Sequence, residues 1–154
     1  MCGILALFHP ACLLHDVEES RKILDTLSHR GPDDAGVWAD REAGILLGHR
    51  RLSILDLSPC GHQPMASQDG RWMITFNGEI YNWQELREQL KSEGVSFQSQ
   101  TDTEVLLEGI AKWGILSTLK KCVGMFVFAV WDRRKKASAM LGIPLKALES
   151  EETA

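Results

Sequence analysis

Cys2 is the residue best placed to do chemistry, because loss of Met1 would make it N-terminal. Its small side chain favours that removal. A terminal cysteine carries a thiol and a free α-amine on one carbon, so one residue supplies both nucleophile and base. With reference pKa values of about 8.5 and about 7.7–8.0, the amine can take the thiol proton near neutral pH. A terminal amine acting as base is one form of the nucleophile–base pair. By position alone, Cys2 also reads as a small buried hydrophobe opening a strand. Acyl transfer further needs donors aimed at a developing oxyanion, each worth about 10²–10³ in rate. Asn77-Gly78, directly after a strand-like run, offers the Asn77 side-chain amide and the Gly78 backbone N–H. Taken alone, the dipeptide reads as a hairpin turn.

Arg51 and Asp102 are the other candidates. A zwitterion such as an amino acid needs a cation for its carboxylate, which arginine grips bidentately, and an anion for its ammonium. Taken singly, Arg51 reads as a surface charge and Asp102 as a complement to a helix dipole. Cys12 with His15, and Cys60 with His62, lack the four-ligand spacing of a zinc site. No Gly-x-Gly-x-x-Gly or Walker-type loop offers a phosphate site.

The elements that must position these residues belong to a chain of 154 residues, 44% apolar and 25% charged. That is one ordinary globular domain, large enough to form a core without disulfides or metal. A net charge of −4 argues against a nucleic-acid or anionic-membrane partner, and the basic run Arg133-Arg134-Lys135-Lys136 reads as a solvated turn. No apolar run approaches the roughly 20 residues of a membrane span. The N-terminus lacks the charged region of a signal peptide. Four widely spaced cysteines read as thiols of a reducing cytoplasm.

Ile4 to Phe8 suits a buried strand ended by His9-Pro10. Asp16 with Glu19 opens a helix carrying Val17, Ile23, Leu24 and Leu27 and ending near His29. Gly36–Ala39 and Gly44–Gly48 form a hairpin. Leu52 to Leu57 alternates weakly, and Pro59, Gly61 and Pro64 break the loop after it. Trp72 to Phe76 is a strand. Asn82 with Glu85 opens a second helix bearing Trp83, Leu86 and Leu90. Thr101 with Glu104 opens a third, with Val105, Leu106, Ile110 and Trp113 facing inward until Gly114. Gly124 to Trp131 is the last clear strand. This order points to α+β with mostly antiparallel sheets.

Six internal segments and the N-terminal Met1-Cys2-Gly3-Ile4 carry a resemblance. They are His29-Arg30-Gly31-Pro32-Asp33, His49-Arg50-Arg51-Leu52-Ser53-Ile54-Leu55-Asp56, and Gly61-His62-Gln63-Pro64-Met65. Phe76-Asn77-Gly78-Glu79-Ile80-Tyr81-Asn82, Thr101-Asp102-Thr103-Glu104-Val105-Leu106 and Gly124-Met125-Phe126-Val127-Phe128-Ala129 follow. In this order and spacing the chain resembles the N-terminal glutaminase domain of glutamine-hydrolysing asparagine synthetase. That is a class II glutamine amidotransferase of the N-terminal-nucleophile hydrolase superfamily. Sister amidotransferases read Thr-Arg-Trp-Ala-Thr-His-Gly where this chain has residues 50–56, which favours the asparagine-synthetase branch.

The resemblance implies an αββα sandwich of two mainly antiparallel sheets. It implies Cys2 as nucleophile with its own amine as base, and Asn77 and Gly78 as oxyanion hole. It implies Arg51 on the glutamine α-carboxylate and Asp102 on the α-ammonium, with backbone around Leu52, Ile54 and Leu55, and Glu79, completing the pocket. L-Glutamine is the implied substrate, and a synthetase domain or chain the implied acceptor of ammonia. The match covers residues 2–134, a type-2 amidotransferase domain, and leaves 135–154 as a divergent tail with an acidic end, Glu149 to Glu152. No Ser-Gly-Gly-x-Asp-Ser pyrophosphatase motif is present. The expectation is therefore a truncated domain short of its closing strands and without a cofactor of its own, ATP and magnesium belonging to the synthetase domain. A non-catalytic remnant, a glutamine-binding module and another class II amidotransferase are the alternatives.

Overall fold

Alternation of side chains along the strands decides the layering. The computed structural model describes residues 2–8, 17–53 and 58–143. In the first sheet, β1 (Gly3–Phe8) and β2 (Asp34–Asp40) flank β3 (Ile45–Arg51), all antiparallel. Ile45 and Leu47 of β3 face inward between the sheets, and strand periodicity carries His49 and Arg51 to the same face. The opposite face, at Gly48 and Arg50, receives α1 (Val17–Asp25). There Leu24 packs against Gly48, and Arg50 pairs with Asp25 at 2.9 Å.

The second sheet runs β4 (Met65–Ala66), β5 (Trp72–Ile80), β6 (Gly124–Asp132) and β7 (Ala137–Ile143), again antiparallel. On β5, Met73 faces the first sheet and Thr75 donates its hydroxyl to Gly48 O at 3.0 Å. Trp72, Ile74, Phe76 and Ile80 face the other way. They form the larger core with Leu86 and Leu90 of α2 (Trp83–Ser92) and Val105, Leu106, Leu107 and Ile110 of α3 (Asp102–Trp113). The layers are thus helix, sheet, sheet, helices. α4 (Ile115–Lys121), which no sequence signal marked, follows α3.

Several expectations need correction. Asn77-Gly78 is no turn: β5 runs through both and pairs with Val127 and Phe126 of β6. Gly78 accommodates this with φ of +145°, and a Cβ there would lie 2.2 Å from Met125 O. Asn82 makes no side-chain cap. Its amide instead donates to Lys121 O and accepts from Val123 N–H, tying α2 to the chain before β6. Ile23 is exposed, whereas Ser20 is buried beside Leu24 on α1. Gly124–Asp132 is not the last strand, since β7 pairs with it from Phe126↔Ile143 to Asp132↔Ala137. The basic run 133–136 is the exposed turn between them, closed by Asp132, which accepts the N–H groups of Arg134 and Lys135. The helix start at Asp16, the strand stop at His9-Pro10, Cys12, and Ile54 and Leu55 lie outside the described residues, as do residues 144–154.

Candidate active site

Strand register brings the nucleophile candidate to the carboxylate-binding candidate. β1 pairs Gly3 with Arg50, so continuing one step sets Cys2 opposite Arg51. Leu52, next along, donates its N–H to Cys2 Sγ at 3.4 Å, and the thiol lies 3.8 Å from Leu52 O. Arg30 Nε donates to Cys2 O at 3.3 Å, fixing the backbone that carries the sulfur. Arg51 is buried and donates Nη1 to Ser58 O at 2.9 Å. Its guanidinium rests on Gly61, where a Cβ would come within 2.1 Å of Nη2.

The facing wall is the free edge of β5. β4 pairs only with Ile74 and Met73, so among the described residues β5 has no strand partner on that side from Thr75 onward. Backbone N–H groups alternate between the two edges of an antiparallel strand. Phe76 and Ile80 turn theirs away from β6: Phe76 N–H meets Gln63 Oε1 at 2.7 Å and Ile80 N–H meets Asp102 Oδ2 at 3.0 Å. Gly78 stands between them in the same phase, and lines a cavity there. Asn77 is in phase with Met73 and Thr75, on the side toward the first sheet and Cys2.

Thr101 caps α3 through a 3.2 Å bond from Glu104 N–H and so starts the helix at Asp102. Glu104 in turn accepts the N–H groups of Gln98 and Ser99, which holds the approaching loop to the helix. Burial pushes the Asp102 carboxyl up to about 6. The N–H groups of Ile80 and Thr103 oppose this, and the Glu79 charge adds to it. A ligand cation placed beside Asp102 would relieve that cost.

Cys2, Arg51, Leu52, Asn77, Gly78, Glu79 and Asp102 all line one cavity of about 320 Å³. That is within the ~300–1,000 Å³ range of small-molecule sites. A thiol, an arginine and a buried carboxylate thus converge on a strand edge with an amide pair. Gln63, Thr103 and Met125 also line it and had been given no role from the sequence. Gln63 lay within the motif Gly61-His62-Gln63-Pro64-Met65, the signal that could have found it. Among the described residues, no group of His, Cys, Asp and Glu could hold a metal ion.

Residues 1–142 match the family of glutamine amidotransferase domains. The chain belongs to that family. Asparagine synthetase (glutamine-hydrolyzing) 1 of Bacillus subtilis (strain 168) is 41% identical over 136 residues, covering 86% of this chain and 21% of that protein. Asparagine synthetase (glutamine-hydrolyzing) 3 of the same organism is 38% identical over 142 residues, covering 88% and 22%. This amidotransferase domain therefore spans about a fifth of the length of the curated relatives it matches. The solved glutamine phosphoribosylpyrophosphate amidotransferase from B. subtilis, complexed with ADP and GMP, has a TM-score of 0.52 at 24% identity. It covers 63% of this chain and 23% of that one. That likeness is one of fold: two antiparallel sheets between helices, an α+β architecture. Among the described residues, no helix of the domain is long and apolar enough to cross a membrane.

Proposed function

We propose that this domain hydrolyses the side-chain amide of glutamine through a Cys2 thioester and supplies the ammonia to a synthetase that makes asparagine. The observation that carries the reading is the convergence of Cys2, Arg51, Asn77, Gly78 and Asp102 on one cavity. Arg51 takes the α-carboxylate of glutamine and Asp102 its α-ammonium, with Glu79 beside it. This orients the side-chain amide toward Cys2.

With Met1 removed, the α-amine of Cys2 accepts the thiol proton. The sulfur then attacks the amide carbon; the C–S bond forms as the C=O π electrons move onto oxygen. The Asn77 amide and Gly78 N–H receive that oxyanion. Leu52 N–H, 3.4 Å from Sγ, holds the sulfur in place before attack. Collapse of the intermediate breaks the C–N bond, and the ammonium proton of the terminus leaves with the nitrogen as ammonia. Water, deprotonated by the same amine, then attacks the thioester carbon; the C–S bond breaks, glutamate leaves, and the sulfur takes back the proton from the terminal ammonium.

The relatives' names support asparagine as the final amide product, and ATP and magnesium would belong to a synthetase domain rather than to this one. The reading is tested by ammonia release from glutamine by the purified chain and its Cys2→Ala variant. Release by the parent alone is expected. Equal release by both would remove Cys2 from the chemistry.

A further inference from the structure

The motif Gly61-His62-Gln63-Pro64-Met65 does more than supply, at Gly61, the platform under Arg51. Its glutamine does something separate. The β4–β5 register pairs Met65 with Ile74, so continuing it back by two residues sets Gln63 opposite Phe76. Pro64 has no N–H to give, and the backbone ladder stops at Met65. The Gln63 side chain completes the rung: its Oε1 accepts Phe76 N–H at 2.7 Å. The other half of the rung comes from the first sheet. His49 Nε2 donates to Phe76 O at 3.1 Å, since a carbonyl can only accept.

Phe76 immediately precedes Asn77 and Gly78. Two side chains thus replace a strand at the last peptide before the oxyanion donors, and the edge remains open at Gly78. A neighbouring strand extended that far would cover Gly78 N–H with backbone. Gln63 also reaches α3: its Nε2 donates to Thr103 Oγ1 at 3.2 Å. Thr103 follows Asp102, the residue that receives Ile80 N–H. Phe76 and Ile80, on either side of Asn77-Gly78, are therefore both fastened to the first turn of α3. Gln63 and Thr103 are almost wholly buried, so these bonds meet little competition from water.

We infer that Gln63 is a positioning residue for the oxyanion donors, holding Asn77 and Gly78 at a fixed distance from Cys2 by completing the ladder at Phe76 and bridging it to Thr103. This rests on the proposed glutaminase reading. Its effect belongs to turnover, since the donors meet full charge only in the transition state. A misplacement of about 1 Å in such a site costs up to roughly a hundredfold in rate.

The test compares the full chain with Gln63→Leu and Thr103→Val in three readouts: kcat for glutamine, KM, and the rate of Cys2 alkylation by iodoacetamide. Alkylation needs the thiolate but no oxyanion hole. Gln63→Leu is expected to lower kcat roughly ten- to a hundredfold, with KM and labelling each within about threefold of the parent. Thr103→Val, which removes only the far bond, is expected to lower kcat severalfold with the same two readouts unchanged, and it decides the matter if Gln63→Leu does not fold. An unchanged kcat, or a loss matched in labelling rate or KM, would overturn the positioning role. A parent that labels at Cys2 but releases no ammonia would overturn the glutaminase reading instead.

Discussion

Asp102 accepts the N–H of Ile80 on Oδ2 at 3.0 Å, two residues along the strand from Gly78. One carboxylate therefore caps the edge of β5 and presents a negative charge to the cavity. The two roles are separable. Asp102→Asn retains an oxygen for Ile80 N–H and removes the charge, so KM for glutamine should rise roughly ten- to a hundredfold, as for a lost charge-assisted bond, with a smaller change in kcat. Asp102→Ala removes both and should lower kcat as well. Steady-state kinetics of the pair check this; matching profiles for the two variants would mean that the Ile80 contact does not matter.

His49 and Asp102 act on stability with opposite sign. Burial lowers His49 from 6.5 to about 4 in the folded chain, so its contribution is complete above about pH 6.5 and lost as pH falls toward 4. Burial raises Asp102 from 3.8 to about 6, so its charge opposes folding above that pH, and this penalty disappears as pH falls toward 4. Between pH 4 and 6 the two slopes, each about 1.4 kcal/mol per pH unit, offset one another. Asp102→Asn removes the opposing slope and leaves that of His49 in place. Its urea midpoint should therefore drop more steeply than the parent's on acidification from pH 6 to 4, and parallel curves would contradict the opposition.

Two glycines should fail differently. At Gly78 the backbone has φ of +145° and an added Cβ would lie 2.2 Å from the Met125 carbonyl, so Gly78→Ala strains the β5–β6 ladder itself. Lower Tm and loss of turnover are expected together. At Gly61 the three atoms nearest an added Cβ all belong to the end of the Arg51 side chain. Gly61→Ala should raise KM severalfold with Tm nearly unchanged. Thermal melts beside kinetics separate the two.

Asn77→Ala should reduce kcat by roughly 10²–10³ and leave KM close to the parent value, because the amide meets full charge only in the transition state. Proportional losses in substrate affinity would instead mark Asn77 as a ground-state contact.

Taken singly, the chemistry-bearing residues of this site read as core, turn or surface; the ordered set of motifs made them legible, and local signals then place some of them. Thr101 with Glu104 marks the start of α3 and hence the place of Asp102, and the cap is there. The helices at Leu86, Leu90, Val105 and Ile110 follow from their spacing. Asn77-Gly78 misleads as local structure, since the dipeptide favours a turn, while pairing with Val127 and Phe126 keeps it in a strand. β7 was illegible: Ala137 to Ile143 has alanine, serine and glycine where strands favour aromatic and β-branched residues, and its pairing with β6 is tertiary. The part played by Gln63 depends on the β4–β5 register and on Thr103, forty positions away. Spacing along the chain carries no trace of such a bridge.

The most direct measurement is acid-quench mass spectrometry of the purified chain during glutamine turnover. The expected result is a chain lacking Met1, with a fraction carrying the mass of one γ-glutamyl group on Cys2 and none on Cys12, Cys60 or Cys122. The adduct should be lost in Cys2→Ala and should build up when the terminal amine is blocked after acylation. Ammonia release by a chain that retains Met1 throughout, or turnover with no adduct on Cys2 at any quench time, would contradict the terminal-cysteine mechanism.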